Sequence, residues 1–125
     1  MNKKLLFICT ANVKRSVTAE VLFSICPNIE TKSAGTHASS NRVQVNQKLI
    51  DWADIVFVVS EEEGHISFLK ENFNIDDKKI INLDIPDMYY THDPKLKELL
   101  IEKITPYIDL SSCLNQLLKE VSSNK

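Results

Sequence analysis

Cys9 and Arg15 stand with five residues between them in the stretch Phe7 to Val17, FICTANVKRSV. A thiol placed beside cations and at a helix N-terminus ionises near neutral pH and becomes a strong nucleophile. A guanidinium is a permanent cation whose planar fork grips two oxygens at once, which lysine cannot do. A phosphoryl group presents three such oxygens. A loop that enters a helix can supply backbone N–H groups for the oxygen that the fork leaves. The chemistry these residues suggest is attack of sulfur on phosphorus to give a cysteinyl phosphate. Ser16, directly after the arginine, is placed to donate its hydroxyl to the sulfur when the sulfur leaves again. Asp84 and Asp87, in the stretch NLDIPD, supply carboxylates at a second point of the chain.

A C-x5-R pair alone recurs by chance in many chains, so the elements around it decide its meaning. Leu5 to Cys9 (LLFIC) is a continuous apolar run, as expected of a central parallel strand buried on both faces. Asp54 to Val59 and Lys79 to Leu83 read likewise, and the more polar Ile29 to Ala34 reads as an edge strand. Helical periodicity runs over Val17 to Cys26, with Val17, Val21, Leu22 and Ile25 on one face and Pro27 closing it. Further helices are expected over Arg42 to Trp52 and Glu61 to Phe73, the last opened by an S-x-x-E capping box of Ser60 and Glu63. Asp93-Pro94 and Thr105-Pro106 each pair a cap residue with proline at the first helical position and predict helices over 94–104 and 106–122. The order βαβαβαβαα predicts a doubly wound four-stranded parallel sheet in a three-layer α/β/α sandwich of flavodoxin-like topology. Ligands of such folds sit beyond the carboxyl ends of the strands, where strand order reverses, and Cys9 ends the first strand.

The chain has 125 residues, the size of a single domain spanning 1–125. Its 15 basic and 17 acidic side chains leave a net charge of −2, with no polybasic stretch and few aromatics, which argues against nucleic acid and anionic membrane as partners. The apolar start after Lys3 and Lys4 is broken within a few residues by Asn12, Lys14 and Arg15, too soon for a signal or a membrane span. Cys9, Cys26 and Cys113 make an odd count without paired or metal-like spacing. They read as reduced thiols in a cytoplasm, Cys26 and Cys113 being buried or inert. No metal or organic cofactor is expected, and a monomer is.

The run C-T-A-N-V-K-R-S, followed by V-T-A-E, resembles the phosphate-binding loop of the low-molecular-weight protein tyrosine phosphatases, C-x-G-N-x-C-R-S-P-x-A-E. Ser33-Ala34-Gly35-Thr36 resembles that family's S-A-G-T, and Ala53-Asp54-Ile55-Val56 its A-D-x-I. Asp87-Met88-Tyr89-Tyr90 resembles its D-P-Y-Y acid loop. The resemblance implies a phosphate loop over 9–16 and an acid loop over 84–91. It makes Cys9 the nucleophile, Arg15 the phosphate clamp and Asp87 the general acid, which then serves as base for the hydrolytic water. It places Thr10, Ala11, Asn12, Val13, Lys14, Arg15 and Ser16 against the phosphate. Tyr89 and Tyr90 would flank an aryl group. Asn12 and its partner Ser33 would hold the loop's shape, and Ser16 would steady the thiolate. The substrate implied is a phosphotyrosine-containing protein or a small aryl phosphate.

Ala11 stands where the family has glycine, Lys14 where it has a second cysteine, and Val17 where it has proline. The segment between Gly35 and Ala53 is shorter than the family's, which removes one wall of the cleft and leaves open whether His37 matches a family histidine that supports the loop. Asp84 competes with Asp87 for the acid role; the tyrosines that follow favour Asp87. Glu61 to Glu63 are read as complementing a helix dipole, His65 as solvent-facing, His92 as a loop residue and Trp52 as core. Two other functions fit the same pocket. A thiol-dependent arsenate reductase needs two further cysteines close together, and Cys26 and Cys113 lie far apart in sequence. A phosphate- or phosphopeptide-binding module would bind without turnover.

Overall fold

The computed structural model describes residues 2–122. Four parallel strands form one sheet in the order β2-β1-β3-β4, with β1 Lys3–Cys9, β2 Ile29–Gly35, β3 Ile55–Val58 and β4 Lys79–Asn82. The predicted doubly wound sandwich is the observed one. The alternation along β1 sets the layers: Leu5 and Phe7 face a core shared with α1 (Arg15–Phe23), α4 (Pro94–Ile104) and α5 (Leu114–Ser122). Leu6 and Ile8 face the opposite core with α2 (Gln47–Trp52) and α3 (His65–Asn72). Both faces of β1 are therefore covered, which is why its sequence is apolar without a break. Because β2 lies on one side of β1 and β3 on the other, the segments that leave β1 and β3 diverge and open a crevice at the carboxyl edge.

The helices depart from expectation in instructive ways. In α1 the buried face is Ser16, Thr18, Ala19, Leu22 and Phe23, whereas Val21 and Ile25 are exposed. Phe23 turns the helix by stacking on Phe7 with ring centroids 5.9 Å apart, and Phe7 stacks in turn on Phe57 at 5.4 Å. The helix expected from Arg42 begins only at Gln47, after Asn46, whose side chain accepts the Leu49 N–H. The β-branched Val43 and Val45 instead bracket Gly35 in a parallel bridge, through Gly35 N–H to Val43 O at 2.8 Å and Val45 N–H to Gly35 O at 2.9 Å.

The helix expected from Glu61 to Phe73 is broken by Gly64, whose φ of 79° separates a 3₁₀ turn, Glu61–Glu63, from α3. The Ser60–Glu63 capping box does not form. Glu61 caps α3 instead, its carboxylate accepting the N–H groups of Ile66 and Ser67. α4 matches its prediction, with Asp93 accepting the Lys95 N–H. Thr105 ends α4, donating its hydroxyl to Ile101 O, so it opens no new helix, and α5 starts at Leu114 rather than 106.

The expectation of three reduced thiols is also corrected. Cys26, just past α1, and Cys113, just before α5, are joined as a disulfide with Cα atoms 5.2 Å apart, and Cys9 is the free cysteine. Their separation of 87 residues in sequence disappears once α1 and α5 share one face of the sheet. Among the described residues no helix is long and apolar enough to cross a membrane.

Candidate active site

The loop between β1 and α1 is bent by Asn12, which adopts a φ of 57°, a conformation that asparagine tolerates better than most residues. Its side-chain amide is fully engaged. Nδ2 donates to Ser33 Oγ at 2.9 Å and to Ser16 Oγ at 3.2 Å, and Oδ1 accepts the Val43 N–H at 3.0 Å. Ser33 donates onward to the Glu20 carboxylate, so the loop is tied to β2 and α1 together. Gly35 is glycine for a steric reason: a Cβ there would lie 2.5 Å from Thr10 O and 2.9 Å from Asn12 N. Ala11, by contrast, does not have a positive φ, so its backbone does not call for glycine.

Cys9 is buried at the end of β1, with Sγ 2.9 Å from Ser16 Oγ and accepting the Asn12 N–H at 3.2 Å. Ser16 Oγ already accepts from Asn12, which leaves its own proton free to point at the sulfur. Cys9, Thr10, Ala11, Val13, Lys14, Arg15 and Asp87 line a cavity of about 330 Å³. A larger groove of about 570 Å³ opens at the opposite edge of the sheet beside Lys3, Asp54 and Tyr107, but it is lined by no cysteine and no arginine. Size does not locate the chemistry here.

Arg15, at the start of α1, is almost wholly buried, and its five N–H groups can be accounted for one by one. Nη1 donates to Glu63 Oε2 at 2.6 Å and to Ile85 O at 2.9 Å, and Nη2 donates to Glu63 Oε1 at 2.8 Å. The end of the fork is thus clamped by one carboxylate. What remains is the Nε–H and the second Nη2–H, a parallel pair on the side edge of the guanidinium. Asp87 stands by this edge, its Oδ1 3.9 Å from Nε, on an exposed side chain. Burial works against the Arg15 charge, yet the hydrogen bond and charge of Glu63, with Asp87 and Cys9, hold its pKa above the ordinary value. The hydrogen bond from Arg15 is likewise the main reason that the Glu63 carboxyl lies below its usual range, against its own desolvation.

Glu63 and His65 were not legible as site residues, and both readings of them are overturned. Glu63 does not serve the helix dipole but holds Arg15. His65 is fully buried rather than solvent-facing. Its Nδ1 accepts the Ser60 N–H at 3.1 Å, so the proton of the neutral ring sits on Nε2, which lies 2.9 Å from Thr10 Oγ1. Thr10 in turn donates to Glu63 Oε1 at 2.9 Å. Burial is the chief cause of a lowered His65 pKa. The one available signal was topological: the segment after β3 must face the loop after β1 across the reversal of strand order.

Other predicted residues fall elsewhere. Tyr89 packs against the α1/α4/α5 core and lines a groove with Lys95 and Leu99, outside the Cys9 cavity, so it does not flank that cavity. The acid loop turns Tyr89 inward and leaves Met88 and Tyr90 exposed. His37 meets the loop through its backbone, N–H to Thr10 O at 2.9 Å, while its ring contacts Phe68; the ring that supports the loop is His65. Asp84 has a φ of 55°, is exposed and does not line the cavity. Lys14 is exposed, and Trp52 packs at the margin of the α2/α3 core. His92 is a loop residue whose N–H reaches Thr18 Oγ1 at 2.9 Å. Among the described residues no group of three or more His, Cys, Asp or Glu is arranged to hold a metal ion.

No protein-family model matches the chain, and no curated protein matches it. Solved structures do. The tyrosine phosphatase Wzb from Escherichia coli K30, in complex with phosphate, superposes with a TM-score of 0.67 at 20% identity, covering 86% of this chain and 96% of that one. The low molecular weight phosphotyrosine phosphatase VcLMWPTP-2 from Vibrio cholerae O395 gives 0.64 at 20% identity, over 82% and 91%. The arginine phosphatase YwlE, as a mutant with a phosphorylated active-site serine, gives 0.58 at 19% identity, over 97% and 94%. The chain therefore has the α/β fold of the low molecular weight protein tyrosine phosphatases.

Proposed function

We propose that the protein is a cysteine-dependent phosphatase that hydrolyses phosphotyrosine or other aryl phosphomonoesters through a covalent phosphocysteine. The observation that carries this reading is the free side edge of Arg15 in the cavity that holds Cys9 and Asp87. Two oxygens of the phosphoryl group take the two remaining guanidinium N–H groups, and loop N–H groups take the third. The Cys9 sulfur attacks phosphorus, the ester P–O bond breaks, and Asp87 gives its proton to the departing oxygen. Asp87, now ionised, takes a proton from water, whose oxygen attacks phosphorus. The S–P bond breaks and the thiolate returns to the donors Ser16 and Asn12. Positioning and charge supply most of the acceleration.

Both tyrosine and arginine phosphatases share this fold. The aryl preference rests on the resemblance of the acid loop, with Tyr90 rather than Tyr89 as its exposed ring. A cytoplasmic setting suits the reduced state that Cys9 needs, whereas the Cys26–Cys113 disulfide is a bond that such a setting disfavours. The arsenate-reductase reading is not supported by the cysteine geometry. Cys26 lies past the far end of α1, whose nine residues span roughly 13 Å at about 1.5 Å per residue, so it sits away from Cys9.

The test is steady-state hydrolysis of p-nitrophenyl phosphate with EDTA present, comparing wild type with Arg15→Ala and Asp87→Asn. Arg15→Ala is expected to lose both turnover and phosphate binding. Asp87→Asn is expected to slow phosphocysteine formation most for poor leaving groups. A wild type that binds phosphate without hydrolysing it would replace the phosphatase with a binding module.

A further inference from the structure

A fixed sequence of hydrogen bonds joins the Ser60–His65 segment to the loop after β1. The Ser60 N–H occupies Nδ1 of His65, Nε2–H meets Thr10 Oγ1, Thr10 donates to Glu63 Oε1, and Glu63 closes on both terminal nitrogens of Arg15. Each hydroxyl or ring nitrogen in this chain has one role open to it, so the direction of every hydrogen bond follows from the first. We infer that His65 and Glu63 are positioning residues of the phosphoryl clamp, and that neutral His65, acting through Thr10, keeps Glu63 on the end of Arg15 so that its side edge faces the bound anion. The inference rests on the phosphate-binding reading of this cavity and deepens it.

Protonation of His65 would break the chain at its origin. A proton on Nδ1 faces the Ser60 N–H, donor against donor, and a charged ring draws Glu63, whose Oε1 is already 3.6 Å from Nε2, away from Arg15. The charged groups around His65 pull in both directions: Glu63 and Glu61 favour its protonation, whereas Arg15, His37 and above all burial oppose it. Anion binding should therefore hold across neutral pH and weaken below the ordinary histidine range.

Sulfate is the probe, because it stays a dianion across that range whereas phosphate does not. Its dissociation constant is measured by NMR titration of the loop amides between pH 7.5 and pH 4.5. In wild type, affinity is expected to fall several-fold more on acidification than in His65→Gln, which keeps a donor toward Thr10 and cannot titrate. Asp87 and Cys9 are common to both proteins, so whatever they contribute cancels in the comparison. An equal pH ratio in the two proteins overturns the inference. Thr10→Val cuts the chain without touching the His65 packing. It is expected to weaken sulfate about tenfold at neutral pH and to flatten the profile, with Thr10→Ser restoring both; unchanged affinity in Thr10→Val likewise overturns the inference. Sulfate that fails to bind wild type at any pH sinks the anion cradle beneath it, an outcome distinct from binding that ignores His65.

Discussion

The loop after β1 and the segment after β3 meet at one crevice, and their polar groups serve different ends. In the first, Asn12 and Ser16, with Ser33 of β2 behind them, fix the curvature of the loop, and the Asn12 N–H and Ser16 hydroxyl meet the Cys9 sulfur. In the second, Glu63 and His65 neither touch the sulfur nor line the cavity themselves; they hold two residues that do line it, Arg15 and Thr10, from behind. On the proposed reading one loop presents the reacting groups and the other sets their angle. The division follows from the fold, because strand order reverses between β1 and β3 and leaves each loop facing the other across the opening.

If the division is right, substitutions in the first loop remove chemistry and those in the second degrade geometry. The largest expected effect is that of Cys9→Ser. Turnover of p-nitrophenyl phosphate should fall by about 10⁴-fold or more, with phosphate binding retained because Arg15 and the loop amides are intact. Residual activity within tenfold of wild type would remove Cys9 from its role and erase the distinction between the loops.

A site remote from both loops gives the contrast. Cys113→Ser opens the Cys26–Cys113 bond, which lies at the far end of α1 from the cavity. It should lower unfolding free energy by about 2–5 kcal/mol while leaving kcat unchanged. Denaturation monitored by circular dichroism, alongside the same assay, checks both halves. A matching loss of kcat would mean that α1 transmits strain to Arg15.

Gly35→Ala tests the curvature of the first loop alone. The added Cβ meets backbone atoms of Thr10, Ala11 and Asn12 rather than a yielding side chain. The expected cost is about 1–3 kcal/mol of stability, together with a drop in phosphate affinity as the loop shifts. An undisturbed affinity would show that the Asn12 contacts fix the loop without help from β2.

Glu63→Gln sharpens the second half of the comparison. It keeps the shape of the side chain but removes the carboxylate that both terminal nitrogens of Arg15 share. A fall of about 10- to 100-fold in kcat/KM is expected, as for a misplaced positioning group, with alkylation of Cys9 by iodoacetamide unaffected. Tighter phosphate binding in this variant would instead make Glu63 a competitor for the clamp.

The same difference explains what was legible in the chain. Reacting groups announce themselves by type and spacing, and Cys9, Arg15 and Asp87 are brought into one cavity as their motifs implied. The Asn12–Ser33 contact implied by the resemblance is present too. The succession of strands and helices along the chain was readable because continuous apolar runs alternate with helical periods. Supporting groups carry no such signature. Glu63 sits in a run of three glutamates that any helix start could own, and its part depends on Gly64 breaking the helix at that point. His65 is buried only because that break turns it inward. Tyr89 was misplaced because a two-residue aromatic motif does not say which ring packs against the core. The Cys26–Cys113 bond needed the three-dimensional pairing of α1 with α5, which sequence separation concealed.

The smallest effect concerns stability against pH, and its sign can be worked out. His65 has a folded pKa below its ordinary value of 6.5, so under that pH the unfolded chain takes up protons that the folded one resists. Stability contributed by the neutral ring is present above 6.5 and is lost as pH falls from there. Glu63, lowered from 4.5, acts in the same sense in a more acid window, being charged when folded and protonated when unfolded. The two together predict a stability that declines on acidification in two stages, with a slope of at most about 1.4 kcal/mol per pH unit for each group. Thermal unfolding of His65→Gln should lack the stage that begins near 6.5 and keep the lower one, whereas Glu63→Gln should do the reverse. If both variants retain both stages, the acid sensitivity belongs to the loop after β1, and the segment after β3 is merely its scaffold.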